Sequence, residues 1–129
     1  DVYKRQIVSC ATLATAPLVR GDWLAPGSHL DLIGSFTPAM RETDEHCFAG
    51  ARTFVDTPEA LQKSGDLLEA MAAGTLRAQD IQGTLAELCR GERTGRSSDE
   101  ERTVFKAVGS ALEDLTAATL VWHAAASPA

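Results

Sequence analysis

The stretch of residues 29–42 constrains the fold most, because it reads as a short buried strand that opens through a loop into a helix. An apolar inner strand is indicated by three residues, Leu30, Leu32 and Ile33. Gly34 then lets a ligand approach the backbone, and the pair Thr37-Pro38 has the pattern of an N-cap followed by the first position of a helix. Ligands of open parallel sheets bind outside the carboxyl ends of the strands. The stretch therefore predicts a ligand crevice at the end of a strand.

The alternation of strands and helices indicates an α/β fold. Short apolar strands are expected at residues 7–10, 30–33 and 53–55, and the pairs Thr37-Pro38 and Thr57-Pro58 follow the last two and predict helix starts. Strands that alternate with helices pair in parallel through right-handed crossovers, so the sheet should carry helices on its faces. Between the first two strands, the proline-broken sequence leaves room only for a short helical turn near residues 19–24.

Helical patterns continue beyond the third strand. One helix is expected from Gly65 through Met71. Ile81, Leu85 and Leu88 then recur at helical spacing until Gly91 supplies a C-terminal cap. These are interpreted as helices that pack on the sheet.

Two interpretations stay open for the segment before the last helix. Residues 98–101 have the spacing of a capping box, which predicts a helix, whereas residues 102–106 can also form a strand. After them, a long amphipathic helix is predicted to run to about Ala125, with a seam formed by Val108, Leu112, Leu115, Thr119 and Trp122. Such a seam must pack on something large, and both Trp23 and Trp122 are interpreted as packing residues.

Composition limits the class of protein. With 129 residues, 44% of them hydrophobic, the chain suffices for one modest domain. The formal net charge of −6, with only 12 Lys and Arg residues, argues against a nucleic-acid or anionic-membrane surface. No apolar run reaches the roughly 18 residues of a spanning helix, and no signal peptide is evident, so a cytoplasmic location is expected. Three cysteines, Cys10, Cys47 and Cys89, predict reduced core thiols rather than a disulfide framework or a zinc site.

The first six residues are expected to be a non-native lead-in. The chain lacks an initiator Met, a strand begins almost at once, and the hexapeptide DVYKRQ resembles translated adapter sequence. The alternative is a native polar segment that leads into the first strand. Residues 1–6 are therefore left out of the fold prediction.

Several blocks of sequence, in order from Ile7 to about Ala125, resemble the ornithine cyclodeaminase and mu-crystallin family. The blocks are residues 9–18, 21–29, 29–42, 54–56, 64–68 and 103–109, followed by Glu113-Asp114. The resemblance implies an enzyme that uses NAD or NADP, with a Rossmann domain inserted between parts of a second, dimer-forming domain. Residues 7–106 would then be the second half of the Rossmann-like parallel sheet with its flanking helices. Residues 107–129 would form the helix that returns to the substrate and dimerisation domain.

The family features that identify the cofactor and the substrate carboxylate lie upstream of the matching region. These are the glycine-rich phosphate loop, the residue that reads the adenosine ribose, and the Arg and Lys that bind the substrate. No GxGxxG occurs anywhere in the sequence. The choice between NAD and NADP therefore stays open. The chain by itself is expected to be inactive, of low stability and prone to aggregation, because half a sheet exposes a strand edge and a helix seam.

The resemblance assigns site residues to the ends of the predicted strands. Cofactor-binding positions are matched by Thr12, Leu13, Leu32, Ile33, Gly34 and Ala107, and a substrate-binding position by Val108. Small or apolar residues suit these places, because a hydride acceptor must lie close to the nicotinamide ring in a dry cleft. Ala107 stands where many relatives have Ser, so a hydroxyl contact to the carboxamide of the cofactor is lost there. No catalytic residue and no metal site is assigned.

Two departures from the family pattern favour a reductase. True cyclodeaminases carry a proton-transferring Asp where this chain has Phe36, and a Lys where it has Met40. A phenyl ring cannot shuttle protons, whereas hydride delivery to an imine carbon remains possible. The resemblance thus implies reduction of Δ1-pyrroline-2-carboxylate or Δ1-piperideine-2-carboxylate to L-proline or L-pipecolate by a homodimeric enzyme. The alternatives are an NAD-dependent ornithine cyclodeaminase and a non-enzymatic binder similar to mu-crystallin.

The remaining ionisable residues are given structural interpretations. Three acidic residues, Glu42, Asp44 and Glu45, are expected in the first turns of a helix, where they complement its dipole. His46-Cys47 lacks a third metal ligand at helical spacing, His29 is placed beside the crevice in a supporting role, and His123 is expected to face solvent. Lys106 is the strongest functional cation, and a surface lysine is the equal alternative.

Overall fold

A five-stranded parallel sheet forms the centre of the fold. The computed structural model describes residues 6–126. Within them the sheet has the order β1-β3-β7-β5-β6, and its strands are β1 (Ile7–Cys10), β3 (His29–Leu32), β7 (Thr103–Lys106), β5 (Arg52–Val55) and β6 (Ile81–Thr84). A separate parallel pair is formed by β2 (Thr15–Val19) and β4 (Arg41–Thr43). The predicted α/β class with a parallel sheet is confirmed.

Residues 6–126 also contain four α-helices and three short 3-10 turns. The helices are α1 (Ala60–Lys63), α2 (Gly65–Ala72), α3 (Leu85–Cys89) and α4 (Ala111–Ala126). The 3-10 turns are Gly21–Trp23, Glu45–Cys47 and Ala78–Asp80. The turn expected near residues 19–24, the helix from Gly65 and the long last helix are confirmed, but α4 begins at Ala111, so the prediction that Val108 belongs to its seam is wrong. No helix in residues 6–126 combines the length and apolar character that are needed to cross a bilayer.

The core lies on one face of the sheet. Strand side chains alternate between faces, so Leu30 and Leu32 point to one side and are fully buried, while His29 and Asp31 point to the other and are half-buried. The buried face packs against Leu67 of α2 and other apolar residues, which are Phe48, Cys47, Ala60, Ala70 and Leu76. The apolar runs that predicted the strands are therefore the residues that build this core.

The predicted helix after Thr37-Pro38 is wrong. Residues 37–40 form a turn, in which the Met40 amide donates to the Thr37 carbonyl at 3.1 Å, and β4 follows directly. The Arg41 amide donates to the Ala14 carbonyl at 2.7 Å, which joins this segment to β2. Strand pairing with a distant segment thus overrides a local helix-start signal.

The other local patterns had mixed outcomes. After Thr57-Pro58 a helix does form, but it begins at Ala60. Residues 98–101 form no helix, because the Ser97 amide donates to the Glu101 carboxylate at 2.7 Å and closes a turn; the strand interpretation of the next segment is confirmed by β7. Ile81, predicted as helical, lies in β6.

The pattern that predicted one helix from Ile81 instead marks a strand followed by a helix. Gly83, with a φ of 157°, lies in β6 directly before its last residue, and that residue, Thr84, caps α3 through reciprocal hydrogen bonds with Glu87. Gly91, with a φ of 72°, follows the end of α3 and fits the predicted C-terminal cap.

The long helix α4 is exposed along its whole described length. Leu115 and Trp122 are 64% and 70% exposed, so the packing role predicted for Trp122 has no partner within residues 6–126. His123 is exposed, as expected. Cys10 and Cys47 are buried thiols, whereas Cys89 is exposed and the prediction that it lies in the core is wrong. An apolar helix without cover is a surface that normally packs on another element.

We expect the 129-residue chain to self-associate, because α4 and the outer edge of β1 are uncovered. Sedimentation velocity should show oligomers, and the double substitution Leu115→Glu and Trp122→Glu should shift the population towards monomer. Substitution of Glu69→Gln, on an exposed position of α2, serves as the control and should leave the distribution unchanged. A monomeric parent chain with a cooperative thermal unfolding transition would contradict this prediction.

Candidate functional site

The central strands end side by side at one edge of the sheet. Cys10 of β1 is in register with Leu32 of β3, which is in register with Lys106 of β7, which is in register with Val55 of β5. In parallel strands these positions are all carboxyl ends, so the residues that follow each of them share one edge. We call this row of strand ends and following loops the carboxyl edge.

The structure brings the predicted site residues together on the carboxyl edge. Seven residues end these strands or follow them directly: Thr12, Leu13, Leu32, Ile33, Gly34, Ala107 and Val108. Backbone hydrogen bonds join the three loops, since the Ile33 amide donates to Cys10 at 2.8 Å and the Ala107 amide to Leu32 at 2.9 Å. The Leu32 side chain is fully buried in the core, so only its backbone lies at the edge. The cofactor and substrate roles of these residues remain predictions.

The exposed surface of the carboxyl edge is apolar. Leu13 is 74% exposed, and Ile33 and Phe36 are both close to half exposed. Ala107, which is partly exposed, adds only a methyl group, and Gly34 is buried. A surface of this kind suits the face of a planar ring rather than a charged group.

A carboxylate joins the end of β5 to the loop after β7. Asp56 is buried, and its Oδ2 accepts the amide hydrogens of Val108 at 2.8 Å and of Gly109 at 2.7 Å. Its Oδ1 accepts the amide hydrogen of Thr57 at 2.7 Å. Asp56 therefore fixes the backbone at Val108 where the chain turns towards α4.

Lys106 is buried, and the alternative of a surface lysine is wrong. Its Nζ donates to the carbonyl of Leu32 at 3.1 Å and also to the carbonyl of Gly34. Burial lowers the pKa of this ammonium group, against the opposing influence of the Asp66 and Glu42 carboxylates. The Leu32 and Gly34 carbonyls of the predicted cofactor loop therefore accept hydrogen bonds from a buried side chain and not from the surface.

Glu42 occupies a place that local sequence did not indicate. The expected helix start is absent, and Glu42 instead lies on β4 with a fully buried side chain. Its Oε1 accepts the amide hydrogen of Thr12 at 2.6 Å, across 30 residues of sequence. A Cβ added to Gly34 would overlap this carboxylate and the Thr12 carbonyl, so only glycine fits there.

Asp66, at the start of α2, is the main polar link between the two sheets. Its Oδ1 accepts the amide hydrogens of Glu42 at 2.8 Å and Thr43 at 2.9 Å, and the Thr43 hydroxyl at 3.0 Å. The Asp66 amide donates to the Ser35 hydroxyl at 3.1 Å, and Ser35 in turn donates to the Met40 carbonyl at 2.6 Å. Ser35 has a φ of 51°, so these bonds hold a conformation that serine seldom adopts.

The remaining candidates lie away from the carboxyl edge. His29 begins β3 and therefore lies at the opposite end of the strand from the crevice, where its Nδ1 is 2.8 Å from the Thr103 hydroxyl; the prediction that it lies beside the crevice is wrong. An apolar cavity of about 240 Å³ opens at that opposite end, beside Phe54 and Phe105. Within residues 6–126 no three potential metal ligands cluster, and His46 is exposed while Cys47 is buried.

We expect Asp66→Ala to destabilise the fold, because it leaves two buried amides and a hydroxyl without their acceptor. The Leu115→Glu and Trp122→Glu chain supplies a background with less exposed apolar surface. There the free energy of unfolding in urea, followed by Trp23 fluorescence, should fall by about 3 kcal/mol. Glu69→Ala, on the exposed side of the same helix, should cost less than about 0.5 kcal/mol. Equal losses for the two variants would contradict the role assigned to Asp66.

The buried Lys106 predicts a specific dependence of stability on pH. Folding lowers the pKa of Lys106, so between the lowered pKa and the ordinary value of 10.5 the unfolded chain binds more protons. The free energy of unfolding should therefore rise with pH through that window. In the same background, Lys106→Met should abolish this rise, whereas Lys63→Met, an exposed lysine paired with Glu59, should retain it. A parallel pH dependence in all three chains would contradict the prediction.

Comparisons with known proteins identify relatives over nearly the whole chain. A protein from Arabidopsis thaliana, SAR DEFICIENT 4, is 46% identical over 115 residues, which cover 89% of this chain and 35% of that protein. The Δ1-pyrroline-2-carboxylate reductase of Paracoccus denitrificans is 41% identical over 121 residues, which cover 93% of this chain and 38% of the enzyme. The chain thus spans little more than a third of the length of the curated relatives that it matches.

A solved structure shares the fold. The Δ1-pyrroline-2-carboxylate reductase of Thermococcus litoralis, in complex with NADH and L-proline, superposes with a TM-score of 0.89 at 34% sequence identity. The match covers 95% of this chain and 38% of that one. The family model described as ornithine cyclodeaminase/mu-crystallin matches residues 1–128. The chain therefore belongs to the ornithine cyclodeaminase/mu-crystallin family.

Proposed function

We propose that this chain forms the nicotinamide side of the dinucleotide-binding domain in an NAD(P)H-dependent reductase of cyclic imines. The substrates would be Δ1-pyrroline-2-carboxylate and Δ1-piperideine-2-carboxylate, and the products L-proline and L-pipecolate. One observation carries the proposal: Glu42, Asp56 and Asp66, beside the carboxyl edge, are buried and bound to backbone amides. Phe36, which is exposed in the loop after β3, cannot move a proton.

The carboxyl edge fits one half of a nicotinamide dinucleotide. Its exposed residues Leu13 and Ile33, with the small Ala107, suit the nicotinamide ring, because they are apolar. The phosphate groups need a glycine-rich loop at a helix N-terminus, and the sequence contains no such motif. We therefore expect the rest of the dinucleotide to be bound by residues outside this chain.

Reduced nicotinamide, when bound, supplies a hydride to the imine carbon, while the imine nitrogen takes a proton from water, so that the C=N bond becomes CH–NH. The residues of this chain would orient the ring and exclude water from its face. Val108, held by Asp56, would border the substrate from the opposite side. Phe36, at the position of the proton-transferring Asp, favours this single reduction over the oxidation, ammonia loss and re-reduction of a cyclodeaminase.

The exposed helix α4 supports the proposed division of the complete enzyme. Residues 7–106 would complete the dinucleotide-binding sheet, and residues 107–129 would pack on a substrate and dimerisation domain. The Leu115 and Trp122 side chains, more than half exposed, provide the apolar surface for that contact. A cytoplasmic homodimer is the expected form of the whole protein.

The proposal is tested with a chimera that joins this chain to a relative. Residues 7–126 replace the matching segment of the Paracoccus denitrificans reductase, and the unmodified reductase is the positive control. We expect the chimera to oxidise NADH or NADPH when Δ1-pyrroline-2-carboxylate is added, measured by the loss of reduced-nicotinamide absorbance. Ornithine should yield neither ammonia nor proline.

The other outcomes separate the competing functions. Release of ammonia and proline from ornithine would establish a cyclodeaminase. Tight binding of reduced nicotinamide without turnover of either cyclic imine would favour a non-enzymatic binder. Phe36→Asp tests the loop directly, and it should not raise reductase activity, because the reduction uses no acid at this position.

A further inference from the structure

We propose that Glu42 and Lys106 are positioning residues. From the protein interior they hold the loops after β1 and β3, so that the nicotinamide ring binds to a surface that is already formed. The inference rests on the proposed function, because it concerns the same carboxyl edge. Neither residue faces the edge itself. Both act through backbone groups of residues that do.

Glu42 connects two loops that belong to different strands. Its Oε1 accepts the Thr12 amide hydrogen at 2.6 Å, and the same carboxylate fills the space beside the Gly34 Cα. The loop after β1 and the loop after β3 are therefore set against one side chain. Loss of that side chain would free the Thr12 amide and open a space beneath Gly34.

Lys106 holds the second of these loops from the neighbouring strand. Its two carbonyl partners, Leu32 and Gly34, flank Ile33, whose side chain is part of the exposed apolar surface. Between the Lys106 ammonium and the Glu42 carboxylate, the Gly34 backbone is held on both sides. No ion pair within 4.0 Å joins Lys106 to Glu42 among the described residues, so the hydrogen bonds of both side chains go to backbone groups.

Burial of the charged side chains of Glu42 and Lys106 lowers the stability of the fold, so stability alone does not explain why they are there. Glu42 Oε2 is buried and has no hydrogen-bond partner within the described part of the chain. A buried, half-satisfied carboxylate and a buried ammonium group both destabilise a fold relative to well-packed apolar residues. Departures of this kind from favourable packing are expected where a geometry has to be held for function.

The hydrogen bonds of Lys106 and Glu42 also explain why the surface that the nicotinamide ring would contact is apolar. Lys106 occupies the carbonyl oxygens of Leu32 and Gly34, and Glu42 occupies the amide hydrogen of Thr12. Those backbone groups are therefore turned away from the carboxyl edge, which leaves it apolar. A bound ring would displace little ordered water and would not have to reorder the loops, and both effects favour affinity.

The test compares side chains of graded reach in the chimera. Glu42→Gln retains an oxygen that can accept the Thr12 amide hydrogen, whereas Glu42→Asp is one methylene too short. We expect Glu42→Asp to raise the Kd for NADH about tenfold or more, and Glu42→Gln to stay within about threefold of the parent. The Kd is read from the fluorescence of bound NADH, without imine present. Glu45→Gln, on an adjacent and partly exposed acid, is the matched control and should bind like the parent.

Lys106 is tested with the same readout. Lys106→Met retains the length of the buried chain and loses the donors, and it should weaken NADH binding about tenfold, whereas Lys63→Met should not. In both series the thermal midpoint is measured alongside, and all binding is recorded well below the lowest midpoint. A variant that loses stability but binds NADH as tightly as the parent overturns the inference.

Further outcomes distinguish the inference from the proposed function. A parent chimera that binds no reduced nicotinamide, while the unmodified reductase does, counts against the proposed function. A parent chimera that binds NADH, with equal affinities for Glu42→Asp and Glu42→Gln, overturns the inference and leaves the proposed function standing. An effect on kcat for the imine without any change in Kd for NADH also overturns it, because positioning of the ring must be expressed in binding.

Discussion

The hydrogen bonds of Asp66 are the interaction on which the arrangement of the site depends. One carboxylate oxygen, on the first turn of α2, binds both amides at the centre of β4. β4 belongs to the small sheet, while Leu67 of α2 lies in the core cluster together with Leu30 and Leu32 of the large sheet, so this oxygen ties the small sheet to the core. Glu42 can reach Thr12 only because its own backbone is held there. The position of a loop after β1 is thus set by a helix that follows β5.

Several buried charged side chains support the site, and each of them forms hydrogen bonds with backbone groups. Asp56, Asp66 and Glu42 bind amide hydrogens, and Lys106 binds carbonyl oxygens. Hydrogen bonds from charged groups are stronger than those between neutral ones, so they can hold loops that have no regular secondary structure. The outer surface of the carboxyl edge remains apolar as a result.

The sequence predicts those elements of the fold that are determined by residues close together in the chain. The apolar runs of β3 and β5 predict strands because Leu30, Leu32, Phe54 and Val55 are buried, and the run of β1 does so although Ile7 is exposed. The helix predicted after Thr37-Pro38 is wrong, because pairing with Ala14 and β2 makes this segment a strand. Thr-Pro is compatible with either structure, and only the second segment decides between them.

The polar residues beneath the site escaped prediction for a related reason. Lys106 meets Gly34 across 72 residues, and Glu42 meets Thr12 across 30. A lysine that ends a strand and a glutamate that follows an arginine are common on protein surfaces, and nothing next to them in sequence signals burial. The family resemblance indicated which loops matter, but not which side chains support them. Gly34 is one sequence signal of these buried contacts, because a glycine in this loop marks a position where another group packs closely against the backbone.

The order of strands in the large sheet has a consequence for how the chain acquires its structure. β7 is the last strand in sequence, yet it lies at the centre, between β3 and β5. Until residues 103–106 have been synthesised, the large sheet consists only of two separate strand pairs, β1-β3 and β5-β6, each with an open inner edge. The sheet therefore cannot assemble progressively during translation; it closes in one late step, and Lys106 arrives with the strand that completes it.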